Sequence, residues 1–173
     1  MPELDLRSPC NTGFPFESSH LDLEIYRLLT AVAASSVLTE RADDEVDGPK
    51  WKWLKKMELP EISRLLVSIA AIARNNIDSC PGSRQVDARL IERPVGFLIP
   101  DLSAPNSREP LGFRESCNKV LHADFINPEV TDLSKALYSA LKPLVHLYGS
   151  HRGSDWRATV HVYEFAMTAL ALC

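Results

Sequence analysis

The sequence lacks several features that define common protein classes, and each absence narrows what it can be. No apolar run reaches the roughly 20 residues that a membrane-spanning helix needs, so no membrane partner is expected. Positive charge is not in excess: 19 Lys and Arg against 23 Asp and Glu give a formal net charge of −4 and a pI near 5.7. That balance excludes a protein that holds nucleic acid by a general cationic surface and leaves room only for a local basic groove. The four cysteines, Cys10, Cys80, Cys117 and Cys173, form no CxxC pair and have no histidine at ligand spacing. Neither a zinc site nor a disulfide framework is therefore expected; four reduced thiols and a cytoplasmic location are. The start, MPELDLRSPCNTGFPFESS, has acids and prolines where a secretory signal needs a basic and then an apolar stretch. A phosphate-binding P-loop, a dinucleotide glycine fingerprint, GxSxG, HExxH and a prominent carboxylate pair are all missing, so no cofactor and no metal are expected.

What is present has the composition of an ordinary folded domain: 173 residues, 45% hydrophobic and 24% charged, enough for one unit with its own core. Residues 1–17, with Pro2, Pro9, Gly13 and Pro15, read as an extended arm. From Ser18, the residues Ile25, Leu28, Leu29, Val32 and Ala33 recur at helical spacing. Gly48-Pro49 then breaks the pattern. The stretch KWKWLKK interleaves Trp51 and Trp53 with lysines; it suits either base stacking beside phosphates or tryptophans folded onto a core with the lysines in water. A second helix is expected to start at Pro60 and run through Ile77, with SCPG ending it. Residues 85–102 suggest a connection with a short edge strand.

Farther on, RESCNKVLHAD predicts a helix starting near Ser107 to Pro110 and ending near Ala123. TDLSKALYSALK predicts a short helix through Leu133, Leu137, Ala140 and Leu141. LVHLYG alternates like a strand entering a turn, whereas Trp156, Val160, Tyr163, Met167 and Leu170 make a last helical stripe whose β-branched start also reads as strand. The expected fold is mainly α: a bundle of four or five helices with a small β element near LVHLYG.

Chemistry concentrates on the RESCNKVLHAD helix. At about 100° per residue, Phe113, Cys117, Val120 and Leu121 share a core face. Arg114, Asn118 and His122 form a boundary stripe beside it, and Glu115 and Lys119 lie farther round as a solvated pair. An arginine that clamps phosphate, an asparagine that orients and a histidine that moves protons suit phosphate chemistry without a metal. The same residues also suit polar partners between packed helices, with Arg114 reaching solvent. In SHRGSDW, His151 and Arg152 occupy a tight turn ahead of a helix start, where a phosphate can be received or where Ser154 or Asp155 simply caps the helix.

The segment Cys117-Asn118-Lys119-Val120-Leu121-His122 resembles the motif of the HEPN superfamily: an arginine, a polar residue that is often asparagine, three residues, then a histidine. These are small helical bundles of toxin and antitoxin pairs, phage defence and RNA processing. The resemblance covers six residues plus the helical layout. It implies a single helical domain over residues 1–173 and a homodimer through helical faces, acting as a metal-independent endoribonuclease with His122 and Asn118 in the motif positions. The arginine position falls on Cys117, so Arg114, one turn earlier, has to supply the cation. The chain also resembles a group of bacterial proteins that share an NKxxHAD segment and a later GSHRGSDWRATVHVYEF. Two expectations result: a protein that binds or cleaves RNA, or a catalytically silent helical subunit that binds a protein partner or serves assembly.

Overall fold

The computed structural model describes residues 18–40, 49–79, 87–132 and 139–172. The chain order is α1 (Ser18–Glu40), α2 (Pro49–Ser79), α3 (Ala88–Ile91), β1 (Pro94–Ile99), β2 (Glu109–Gly112), α4 (Phe113–Leu121), β3 (Phe125–Asp132), β4 (Ser139–His151), β5 (Ser154–His161) and α5 (Val162–Leu170). The strands form one five-stranded sheet in the order β2-β1-β5-β4-β3, and every neighbouring pair is antiparallel. The expected helical bundle is therefore corrected to a mixed α and β fold in which helices cover one face of an antiparallel sheet.

Alternation decides which face. On β5, Trp156, Ala158 and Val160 are buried in the core; on β4, Val145 and Leu147 are. Against them pack Leu21, Ile25 and Leu28 of α1, Ile62, Leu65, Leu66 and Ile69 of α2, Phe113 and Cys117 of α4, and Phe165 and Ala166 of α5. The Phe113 and Phe165 rings meet with centroids 5.3 Å apart and tilted by 40°, a favourable geometry for two fully buried aromatics. Glu24 of α1 is buried and held by Arg64 of α2 at 3.0 Å, and Arg64 also grips Glu61 at 2.9 Å. That grip holds the Glu61 carboxyl below the usual carboxylate range and raises Arg64.

Five local expectations are revised with the fold. Pro60 lies inside α2 and does not start it. A proline there removes one helical hydrogen bond, but Leu54, a turn and a half earlier, is buried in the core, and tertiary packing holds the helix together. β1 is flanked by β2 and β5, so it is no edge strand. The segment before Phe113 is β2, and α4 is confined to nine residues. The helix expected over residues 131–142 ends up as the end of β3 and the start of β4, with 133–138 outside the described residues; residues 154–161, the start of the last helical stripe, are β5. LVHLYG does lie on a strand, as part of β4. The arm over residues 1–17 falls outside the described residues.

Candidate functional site

α4 is amphipathic, and its inner side is sealed: Phe113, Ser116, Cys117 and Val120 are buried. Burial pushes the Cys117 thiol up to about 12, so at neutral pH it is a neutral, core-packed group and no nucleophile. The position where the HEPN pattern has its arginine is thus part of the core.

The outer side of α4 meets the β4–β5 hairpin. His151 pairs with Ser154, and the two residues between them, Arg152 and Gly153, stand at φ 52° and 85°. Positive φ at both central positions is the pattern of a tight two-residue hairpin turn, and Gly153 adopts it without strain. The turn therefore feeds a strand, and the helix start expected after it is absent. At the next inward pair, Gly149 faces Trp156. A Cβ on Gly149 would stand 2.3 Å from the Trp156 ring and 3.2 Å from the His122 carbonyl oxygen, so glycine is what lets the end of α4 approach β4. His122 caps α4, its backbone N–H donating to the Asn118 carbonyl at 3.0 Å; two residues on, the Asp124 N–H donates to the Tyr148 carbonyl at 2.8 Å.

Between these two elements lies a polar cleft of about 390 Å³. Glu115, Asn118, Lys119 and His122 line it from α4; Ser150, His151 and Trp156 line it from the hairpin. Inside, the Asn118 amide donates to Glu115 Oε2 at 3.0 Å, which fixes the orientation of the amide. Lys119 Nζ lies 3.5 Å from Glu115 Oε1 and 4.4 Å from the Trp156 ring centroid, its side chain only 17% exposed. A cation over an indole face and loosely paired with one carboxylate is directed and partly desolvated, and it can turn from Glu115 to a ligand anion.

Of the residues singled out in the sequence, Asn118, His122 and His151 meet in this cleft. Arg114 does not line it: its Nη2 is 3.1 Å from Asp78 Oδ1 on α2, and Asp78 also holds Arg74 at 3.0 Å. Arg152 sits exposed in the hairpin turn, outside the lining. Two contributors were missed. Lys119 looked like half of a solvated pair, yet the spacing that pairs it with Glu115 also turns it toward the hairpin. Trp156 looked like part of a helical stripe; only its place on β5 brings it beneath Lys119.

A second cleft, about 460 Å³, lies between α1, β4 and α5 and is lined by Leu29, Val32, Leu141 and Val162 among others. It is mostly apolar, with Ser36 and Tyr163 as its polar side chains and no charged group in its lining. Among the described residues no group of three or more His, Cys, Asp or Glu is arranged to hold a metal ion, and no helix is long and apolar enough to cross a membrane. No family model matches the chain, and no curated protein and no solved structure matches it either.

Proposed function

We propose that the chain binds RNA at the α4–hairpin cleft and cleaves it by general acid and base catalysis. The observation that carries this reading is that His122 and His151, from segments 29 positions apart in the chain, line one polar cleft together with Lys119. Two imidazoles are the side chains best suited to take and give protons near neutral pH. In this scheme one histidine removes the proton from a ribose 2′-hydroxyl, and the 2′-oxygen attacks the adjacent phosphorus. The bond from phosphorus to the 5′-oxygen breaks, and the second histidine protonates that oxygen. The products are a 2′,3′-cyclic phosphate and a free 5′-hydroxyl. Lys119 faces the non-bridging phosphate oxygens, in the role first expected of Arg114, and Asn118 orients the ribose or the phosphate.

The test is a labelled single-stranded RNA incubated with purified protein beside His122→Ala and His151→Ala. Each variant is expected to lose about 10²- to 10⁴-fold in cleavage rate. Absence of cleavage by the parent protein, or cleavage by either variant at the parent's rate, sinks the catalytic reading.

One observation favours a second reading, a catalytically silent subunit that binds a protein partner: Arg114 is committed to Asp78 and supplies no cation to the cleft. A parent protein that retains a specific protein partner from its host, with no RNA turnover, supports that reading. A strict monomer by light scattering with no retained partner counts against it.

A further inference from the structure

The side of the sheet away from the helices carries a different set of side chains. Strand register places Phe97, Thr159, His146 and Asn127 in one row across β1, β5, β4 and β3. Ile99, Arg157, Tyr148 and Phe125 form the next row toward the hairpin. The residues of the main core cluster on these strands point the other way, although Ile99, 4% exposed, is buried on this side, where the Leu102 N–H reaches the Asp155 carbonyl and Arg108 covers Phe97.

The first row is internally satisfied. His146 Nδ1 is 2.9 Å from the Thr159 hydroxyl and Nε2 is 3.3 Å from Glu129, while Lys142 binds Glu129 at 2.6 Å. The Arg108 guanidinium lies 3.4 Å from the Phe97 ring centroid and covers it. Although Glu129, His146 and Thr159 resemble a carboxylate–imidazole–hydroxyl relay, Thr159 is only 1% exposed and offers no substrate access.

The second row is not satisfied. Arg157 sits on the central strand, its Nε is buried, and its side chain makes no hydrogen bond or ion pair among the described residues. The buried Nε leaves one donor of the guanidinium unmatched, which an arriving anion can accept. Next to it in the row stands Tyr148, half-buried, and then Phe125, 72% exposed. At about 4.8 Å between strands, the row sets one fixed cation beside two consecutive aromatic faces. Among the described residues the nearby carboxylates are Glu129, already engaged by Lys142, Asp155, two positions from Arg157 on the same face of β5, and Asp101, whose oxygen takes the Ser103 N–H; none of them is paired with Arg157. The row also leads to the cleft: Ser150, which lines it, shares a face with Tyr148 two positions earlier on β4.

We propose that the row Arg157–Tyr148–Phe125 is a platform for single-stranded RNA, which takes a phosphate at Arg157, stacks bases on Tyr148 and Phe125, and leads the strand to the cleft. Cation plus aromatic is the combination that holds unpaired nucleotides without reading sequence. A duplex does not fit, because its bases are already stacked on one another. The choice of RNA rests on the reading under Proposed function; the platform itself rests on the row.

Fluorescence anisotropy with a short labelled oligouridylate, in full-length His122→Ala/His151→Ala protein that leaves the RNA intact, tests the platform. Tyr148→Ala and Arg157→Gln are each expected to weaken binding by about five- to hundredfold, and Tyr148→Phe to retain it. Arg157→Gln should also lower the salt slope by about one. If the oligonucleotide binds and neither variant weakens it, the platform is wrong while the RNA reading stands. A loss with Arg157→Gln but none with Tyr148→Ala marks a simple anion site and also overturns the platform. No binding at all overturns both. Melting curves of each variant confirm that the fold is retained.

Discussion

The two faces of the sheet solve opposite problems with the same strands. On the helix side, Val145, Leu147, Ala158 and Val160 are buried against α1, α2, α4 and α5, with no charge among them. On the other side the same strands carry His146, Tyr148, Arg157 and Thr159, and at Arg157 the polar groups are not all matched. The first face accounts for why the chain folds; the second and its hairpin end carry the side chains proposed above to hold RNA. Truncation on each side breaks the comparison most sharply. Phe165→Ala removes a fully buried ring packed at a tilt against Phe113 and is expected to cost about 3–5 kcal/mol in urea unfolding. Arg157→Ala removes an unpaired group and is expected to change stability by less than about 1 kcal/mol. Equal costs would mean that the open face contributes to the fold as much as the core does.

Gly149 marks the border between the two regimes, because it lies on the helix side yet sets the distance from β4 to the end of α4. In Gly149→Ala the new methyl meets the Trp156 ring and the His122 carbonyl. The expected cost is about 1–3 kcal/mol of overpacking, with a loss of RNA turnover out of proportion to it, since Trp156 and His122 both line the cleft. If turnover falls only as far as the folded fraction does, the cleft is not where the chemistry occurs.

How much of this was legible in the sequence depended on the period of the pattern. α1 and most of α2 were readable because apolar residues recur at three and four over many turns, which no strand imitates. The β half was misread where residues stand four apart. Trp156 and Val160 share a face in a helix of period 3.6 and equally in a strand of period 2. The residues between them carried the answer: Ala158 is inward with Trp156 and Val160, while Arg157 and Thr159 are not. In the cleft, Asn118 and His122 were found because both lie on one short helix. Pairing them with His151 needed the hairpin, and Lys119 needed Trp156 opposite it, which are long-range facts of register that local spacing does not contain. The Arg114 expectation failed for a similar reason: its partner Asp78 belongs to α2, 36 positions away.

A small pH-dependent effect tests whether α4 keeps its two sides separate. Cys117 faces the core directly behind a helix whose outer side lines the cleft, and burial raises its thiol from an ordinary 9.0 to about 12. A raised acid favours the neutral form in the folded state. Its contribution to stability is therefore complete below about pH 9 and is lost as pH rises toward 12, because the unfolded thiol ionises first. Between pH 9 and about pH 10 the parent protein should lose about 1 kcal/mol that Cys117→Ala does not lose, measured as the difference between their urea midpoints at each pH. Tyrosines and lysines that titrate in the same range cancel in that difference. Identical slopes would mean that the thiol ionises as freely in the folded chain as in the unfolded one, and that water from the cleft reaches through α4 to the core.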